Sequence, residues 1–370
     1  MEGSWTQIKT FFITCFLIAC NNLLLAQYST ATGSKSMYEG RMDTLHKNIY
    51  QHFYDAANAL YYETNDVKRG EKPHSYLWPL CALIQAANEE EALEPQKDYM
   101  TPVMKAIQQY HSDIPPAPAY QAYVTKEQKD SRFYDDNQWI AIACLDAYER
   151  TKKQQYLDIA KDIYRFMMTG FDTVSGGGLY WKEDEKTSKN TCSNGPGIII
   201  ALRLYQITNS RNYLDTALLL YNWVNAHLQA PEGVYYDNIK IPSLKIGKAF
   251  YTYNAGTMLQ ANVLLYNITK NKKYLQEAER IAVIAKKVFY KNGRLPGNYW
   301  FNAVLLRGYQ ELYTIDKNKA YIQFFMDDAN RIWQDEKDEN GLVGKGKRKS
   351  LIDQAAMIEI YARLAQIGSL

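Results

Sequence analysis

The 370-residue sequence is poor in the residues that specialised chemistry asks for. Of its five cysteines only Cys81, Cys144 and Cys192 follow residue 20. They show no paired spacing, so no disulfide framework is expected. The five histidines are scattered and no metal-ligand spacing is present, so neither a metal nor a cofactor is expected. Basic and acidic residues nearly balance, 43 against 40, for a net charge of +3. That leaves no basic face for nucleic acid. The one basic run, Lys345-Gly-Lys-Arg-Lys349, is short and broken by glycine, the pattern of a solvated loop. Gly176-Gly-Gly-Leu-Tyr-Trp181 lacks phosphate-loop spacing and fits a tight turn presenting Tyr180 and Trp181.

Long apolar runs are also missing. The longest, Phe11 to Cys20, is too short to cross a membrane but suits the core of an export signal over residues 1–27, with Lys9 before it. Two cleavage points compete. Leu17-Ile-Ala-Cys20 resembles a bacterial lipobox, which would leave Cys20 lipidated as the sole membrane attachment. Leu24-Leu-Ala26 before Gln27 suits ordinary signal peptidase. Either implies an exported protein, at the cell surface or in the periplasm. Residues 28–40 are expected to form a linker and 41–370 a single domain.

What is abundant is tyrosine, 31 residues, with 7 tryptophans. Flat amphipathic rings serve core packing and sugar binding alike, and composition does not separate the two. The order of the residues says more. Tyr148, Tyr205 and Tyr266 recur at intervals of 57 and 61, as do Tyr156-Leu157, Tyr213-Leu214 and Tyr274-Leu275, and Ala160, Ala217 and Ala278. Each unit predicts an apolar helix, a short polar turn and an amphipathic helix. From Tyr274 the apolar residues 275, 278, 281, 282, 285, 288 and 289 form one helical stripe, whereas Ile198-Ile-Ile-Ala-Leu202 is apolar nearly all round. Weaker copies extend outward, with Asp43–Tyr62 before Tyr76–Ala92 and Ala320–Trp333 before Leu351–Ile367. The total is about twelve helices in six hairpins, an all-α toroid with an inner ring inside an outer one. Strand alternation is expected only near Gly233–Tyr236.

The junctions from outer into inner helices then share one rim, and they carry the unusual residues: Tyr76-Leu-Trp78, Tyr134-Asp-Asp-Asn137, Lys189-Asn190 through Asn194-Gly195, Tyr251-Thr-Tyr-Asn254, and Asn298-Tyr-Trp-Phe301. The opposite turns are short and solvated, so the long-looped rim is where a groove is expected. Asp135 and Asp136 open an inner helix. Helix capping accounts for a single Asp there. Two in succession, between Tyr134 and Asn137-Gln138-Trp139, suit a glycosidase, whose retaining form needs two carboxyls about 5–5.5 Å apart. One must be ionised and the other protonated, so burial must overcome a helix N-terminus that favours charge. Lys189, Asn190, Asn194 and Asn254 suit either capping or sugar hydroxyls. Asp237 is a supporting rim carboxylate, and His74 is the one rim histidine, too few for a histidine-based epimerase.

Tyr134-Asp-Asp-Asn-Gln-Trp139, with Asp146-Ala-Tyr148, resembles the signature of glycoside hydrolase family 76, the α-1,6-mannanases. Tyr76-Leu-Trp-Pro79, Gly177-Gly-Leu-Tyr-Trp181, Lys189-Asn190 with Ser193-Asn-Gly195, and Tyr251-Thr-Tyr-Asn254 follow in the same order. The resemblance spans roughly residues 41–367. It implies an (α/α)6 barrel and a retaining attack on α-1,6-linked mannose chains, with Asp135 as nucleophile and Asp136 as acid/base. Substrate contacts are expected from the rim residues Tyr76, Trp78, Tyr134, Asn137, Gln138, Tyr180, Trp181, Lys189, Asn190, Asn194, Asp237, Tyr251, Tyr253, Asn254 and Trp300. Ala255 departs from the glutamine expected after Tyr-Asn. A non-catalytic glycan-binding relative, and a polysaccharide lyase or epimerase on the same toroid, are the alternative readings.

Overall fold

A computed structural model describes residue 33, residues 35–68 and residues 71–368. The expected signal segment, residues 1–27, lies outside the described residues. Among those described, twelve helices follow in chain order: α1 (residues 35–52), α2 (Leu77–Leu93), α3 (Met100–Ile107), α4 (Tyr134–Thr151), α5 (Gln154–Met168), α6 (Thr191–Thr208), α7 (Arg211–His227), α8 (Thr252–Thr269), α9 (Lys272–Phe289), α10 (Tyr299–Asp316), α11 (Ala320–Asp335) and α12 (Leu351–Ile367). The even-numbered helices pack in succession, and α12 closes on α2, so they form the expected inner ring. The odd-numbered ones surround it. The fold is an (α/α)6 barrel.

The two rings differ as their sequences require. In α8 the residues Thr252 through Leu265 are all buried, because that helix has neighbours on every side. In α9 only Tyr274, Ala278, Ile281, Ala282, Ala285 and Phe289 are buried, which is the predicted stripe with Leu275 and Val288 at its margins. The helix α1 completes the outer ring: Tyr38 stacks on Tyr361 of α12, Arg41 Nη1 donates to Asn330 of α11 at 2.7 Å, and His46 meets Glu90 of α2 at 3.0 Å. It starts inside the stretch expected to be a linker, because Tyr38 is an anchor in the core. It also ends earlier than the expected Asp43–Tyr62 helix. The Asp55 carboxylate accepts from the Ala57 N–H at 3.0 Å and from Asn58, which turns the chain into a ladder of β1 (Tyr54–Asp55) and β2 (Leu60–Tyr61).

The recurring tyrosines mark the short turns. The carbonyls of Tyr148, Tyr205, Tyr266 and Tyr313 accept from Lys152, Asn209, Lys270 and Lys317, each in the left-handed conformation that stops its helix. Thr151, Thr208 and Thr269 each donate to the carbonyl four residues back and accept the backbone N–H two residues on. The Tyr313 copy breaks the pattern by placing Asp316 where the threonine stood. Its side chain still accepts the same N–H, from Asn318. One contact between inner helices needs glycine. A Cβ on Gly256 would lie 2.6 Å from the Val304 carbonyl, and one on Gly308 2.5 Å from the Gly256 carbonyl, so α8 and α10 touch backbone to backbone.

The other rim carries the long loops. After β3 (His111–Ser112) and β4 (Ala119–Tyr120), the largest sheet joins β5 (Ser188–Asn190), β6 (Tyr236–Lys240) and β7 (Ile246–Phe250), all antiparallel. Strand structure thus begins where alternation was expected, at Tyr236, but extends into a hairpin that the alternation did not reveal. Its register shifts between Tyr236 and Asn238, at Asp237, and such irregularities re-aim side chains beside functional sites.

Candidate active site

The repeat interval of 57 aligns Asp135-Asp136-Asn137 with Cys192-Ser193-Asn194, and the interval of 61 aligns these with Tyr253-Asn254-Ala255. Each triplet holds the second, third and fourth positions of its inner helix, α4, α6 or α8. The second positions around the ring are therefore Trp78, Asp135, Cys192, Tyr253, Trp300 and Ile352. The third are Pro79, Asp136, Ser193, Asn254, Phe301 and Asp353. These two tiers surround the mouth of the barrel.

The fourth position does different work. Asn137 accepts the Tyr120 N–H and donates to the Tyr120 and Phe133 carbonyls, all at 2.8 Å. Asn194 does the same with Leu179 and Asn190, and Gln354 with Val343 and Ser350. Asn302 donates to the Pro296 carbonyl at 2.7 Å and accepts from Thr252. These amides clamp the rim loops onto the helix starts, leaving Asn137 and Asn194 little capacity for sugar hydroxyls. That corrects the expectation for both. Ala255 occupies the fourth position of α8, so the absent glutamine belongs to the clamp tier by position.

Asp135 and Asp136 are 5% and 7% exposed. Free helix N–H groups at this end favour their ionised forms, but burial is the larger effect on both. Desolvation raises Asp135 from 3.8 to about 6, although the neighbouring Cys192 and Trp181 side chains pull it down. Asp136 is held well above the usual carboxylate range by burial, and next by the charge of Asp135. Burial thus raises both carboxyls, and the charge of one disfavours ionisation of the other. Asp135 Oδ2 accepts from Trp181 Nε1 at 3.1 Å. Oδ1 takes no N–H or O–H donor.

Five buried polar atoms without partners lie at the same rim, at the starts of α6 and α8 and on β6: Asn190 Oδ1, Ser193 Oγ, Asn238 Oδ1 and both amide atoms of Asn254. Buried polar groups are normally satisfied, so a set of five on one rim marks where a hydroxylated ligand would complete them. Asp237 stands with them, raised by burial and accepting from Asn238. Aromatic faces border the set. Tyr76, Trp181 and Tyr251, at 38%, 39% and 39%, are the exposed Phe, Tyr and Trp side chains among the described residues. Trp181 packs on Phe133, Tyr251 against Phe301, and Tyr253 stacks on Phe301 at 4.0 Å. Below them Trp78 meets Trp300 at 4.2 Å, and Trp300 meets Trp139 across the barrel axis at 5.3 Å. Both buried indole N–H groups, on Trp139 and Trp300, lack partners.

Several other expected contacts face elsewhere. The Tyr134 hydroxyl pairs with Thr169 at 3.2 Å, and its ring packs on Phe166 of the outer ring. Gln138 is fully buried and donates to the Ser193 carbonyl at 2.7 Å, linking α4 to α6. The Lys189 ammonium meets Asp172 at 2.5 Å and the Val174 and Gly177 carbonyls at 2.7 and 2.6 Å. It pins the glycine turn from below, with Tyr180, 3% exposed, beneath it. Only Trp181 is presented by that turn. Gly176, Gly177 and Gly178 all have positive φ, and a Cβ on Gly178 would lie 2.7 Å from Trp223. His74 is held between Glu127 and Asp55 at 2.5 and 3.2 Å, with no nitrogen left for a substrate. Cys192, Ser193 and Phe301 lay within the expected rim stretches without being given as contacts, and Asn238 was not expected at the site. The repeat intervals carried the signal for the first two.

A separate cavity of about 820 Å³ opens at the other end of the barrel, lined by Glu89, Asp146, Arg203, Arg307 and Arg363 among others. Its charges are paired among themselves: Asp146 meets Arg307 at 2.7 Å and Arg203 at 3.0 Å, and the two guanidinium groups hold it down at about 2 against its own burial. Arg307 also reaches Gln85 and Gln260, beneath Trp139, closing the barrel floor. The chemistry therefore belongs to the aromatic rim.

Residues 38–327 match the profile of Glycosyl hydrolase family 76. A crystal structure of a family 76 glycoside hydrolase from a bovine Bacteroides thetaiotaomicron strain is 28% identical, with a TM-score of 0.83 over 90% of this chain and 78% of that one. A family 76 mannosidase from the same species is also 28% identical, with a TM-score of 0.79 over 89% and 98%. The mannan endo-1,6-α-mannosidase of Candida glabrata is 31% identical over 189 residues, 47% of this chain and 42% of that protein. The chain therefore spans less than half the length of that curated relative. The barrel, the paired aspartates at its mouth and the profile match over most of the sequence agree: the chain belongs to glycosyl hydrolase family 76.

Proposed function

We propose that the protein hydrolyses α-1,6-linked mannose chains with retention, Asp135 attacking and Asp136 serving as acid and then base. The observation that carries this reading is a pair of adjacent carboxyls, both buried, at the floor of an aromatic rim. Asp135 Oδ1 is free of N–H and O–H donors while Trp181 steadies Oδ2. Asp136, whose ionisation burial and the charge of Asp135 disfavour, gives its proton to the glycosidic oxygen as Asp135 forms the ester to the anomeric carbon. Esterification removes the charge that raised Asp136, so its proton affinity falls. It then takes a proton from the water that opens the ester. The unpartnered atoms of Asn190, Ser193, Asn238 and Asn254 are the ligands we assign to sugar hydroxyls, with Tyr76, Trp181 and Tyr251 as platforms.

The substrate class follows from the relatives, which are described as a mannosidase and a mannan endo-1,6-α-mannosidase. An extracellular enzyme suits a polysaccharide substrate. Residues 1–27, with Cys20 as a lipid acceptor or Ala26 as the cleavage point, supply the export signal in this reading. Incubation with linear α-1,6-mannan tests the activity. New reducing ends with α configuration at first release support it. An unsaturated product, or binding without cleavage, overturns it.

A further inference from the structure

The near-balance of charge over the whole sequence conceals an uneven rim. The loops leading into α8, α10 and α12, residues 228–251, 290–298 and 336–350, hold ten lysines and arginines against five carboxylates. The loops leading into α2, α4 and α6, residues 53–76, 108–133 and 169–190, hold nine against eleven. Because the inner helices follow one another around the ring, these sets are the two halves of the rim. Asp135 and Asp136 start α4 in the balanced half, and the basic half stands across the mouth from them. Among the described residues, Lys240, Lys245, Lys248, Arg294, Lys345 and Lys347 of the basic half are exposed and form no ion pair.

The basic run at residues 345–349 shows how these cations are presented. Two of its members turn inward and hold the loop. The Lys349 ammonium is buried and donates to the Gly344 carbonyl, while the Arg348 guanidinium donates to Thr64 Oγ1 at 3.0 Å and clasps Glu71. The backbone of Lys349 donates to Asn65 Oδ1 at 2.9 Å and accepts the Asn65 N–H at 3.1 Å. The loop expected to be merely solvated is therefore fixed, and it leaves Lys345 and Lys347 open. It also borders the mouth: a Cβ on Gly344 would lie 3.0 Å from Asp353 Oδ2, in the third tier, and one on Gly297 3.6 Å from the Lys345 ammonium, just before α10. Glu336, a carboxylate of the same loop, is taken by Arg331 at 2.6 Å and by the Tyr299 hydroxyl.

We propose that the basic half of the rim is a subsite for an anionic substituent, a phosphate ester, carried on the mannose chain. This rests on the hydrolase reading, since a chain with one bond at Asp135 and Asp136 that crosses the mouth comes to lie over the loops before α10 and α12. Ammonium groups on flexible stems meet a phosphate as point charges from several directions. Unpaired cations gathered at a mouth raise the local concentration of such a ligand and offset the repulsion it meets from the two aspartates.

The test compares α-1,6-mannotetraose with the same chain carrying one phosphate monoester on a terminal mannose, prepared for each end. At an ionic strength of about 20 mM, kcat/KM should favour one of the phosphorylated probes about tenfold, and at about 0.5 M the advantage should shrink to about twofold. Joint replacement Arg294→Gln, Lys345→Gln and Lys347→Gln should cancel the low-salt advantage. Lys126→Gln with Lys129→Gln, on the balanced half, should keep it. No advantage in the wild type, or one that the triple variant retains, overturns the proposal. So does tighter binding of dextran sulfate than of the phosphorylated tetraose, which would assign the patch to polyanions at large. If wild-type enzyme cleaves neither tetraose, the hydrolase reading fails, and the ratio of their calorimetric binding constants still decides whether the basic rim takes the phosphate.

Discussion

Replacing Asp135 by Asn should abolish turnover and yet stabilise the protein at neutral pH. Burial lifts the Asp135 carboxyl from 3.8 to about 6. A rise of about 2 units corresponds to about 3 kcal/mol of differential interaction between its two protonation states. A raised folded-state value means that the favourable contribution is fully present below the unfolded value near 4, and is lost as pH rises through about 6. Wild-type stability should therefore fall across pH 4 to 6 by about 3 kcal/mol from this group alone, whereas the Asn variant lacks that loss and keeps only the one due to Asp136, which both proteins share. Asn fits the site: its carbonyl oxygen can still accept from Trp181 Nε1, and Asn caps a helix start about as well as Asp. The assay is urea or thermal denaturation of both proteins at several pH values. At pH 4 the two midpoints should nearly coincide. At pH 7 the variant should lead by about 3 kcal/mol, a few degrees in Tm for a chain of this size. Equal stability at pH 7, or a gap that does not close on acidification, would refute the claim that desolvation dominates at this helix start.

Asp136→Asn should fold and keep first-step activity on substrates whose leaving groups need no proton, with partial rescue by azide. Loss of activity on activated and natural substrates alike would remove Asp136 from the acid role. Asn137→Ala should cost about 2–4 kcal/mol, since it strands the buried Tyr120 N–H and carbonyl and leaves the Phe133 carbonyl only its backbone partner, and denaturation measures it directly. Asn254→Ala should leave the denaturation midpoint within about 1 kcal/mol, because neither amide atom has a protein partner, while raising KM or lowering kcat on mannan. A large stability loss without a kinetic effect would mean that the amide serves the fold instead. Gly308→Ala should destabilise by about 1–3 kcal/mol or more, as its Cβ would meet the Gly256 carbonyl at 2.5 Å.

Much of this protein is written locally. The intervals between Tyr148, Tyr205 and Tyr266 reflect a turn built entirely from nearby residues: a tyrosine carbonyl, a threonine hydroxyl and a left-handed Lys or Asn. Helical periodicity separated the striped α9 from the uniformly apolar middle of α6 in the same way, since burial on one face or on all faces leaves its mark within a single turn. Adjacent aspartates at a helix start were legible too, along with the rim that holds them. What the chain alone left undecided was where each rim side chain points. Asn194 and Asn254 look alike in sequence, but one occupies the fourth position of its helix and clamps a loop, while the other occupies the third and faces the barrel mouth unpartnered. Lys189 and Tyr134 turn away from the groove because their partners, Asp172 and Thr169, come from a loop and a helix end some 17 to 35 residues distant. The contest between helix dipole and burial at Asp135 likewise needed the packed ring. The dipole belongs to the helix itself, but desolvation arises only when the side chains of α2, α6 and α8 and the Trp181 loop close around the carboxyl and exclude water.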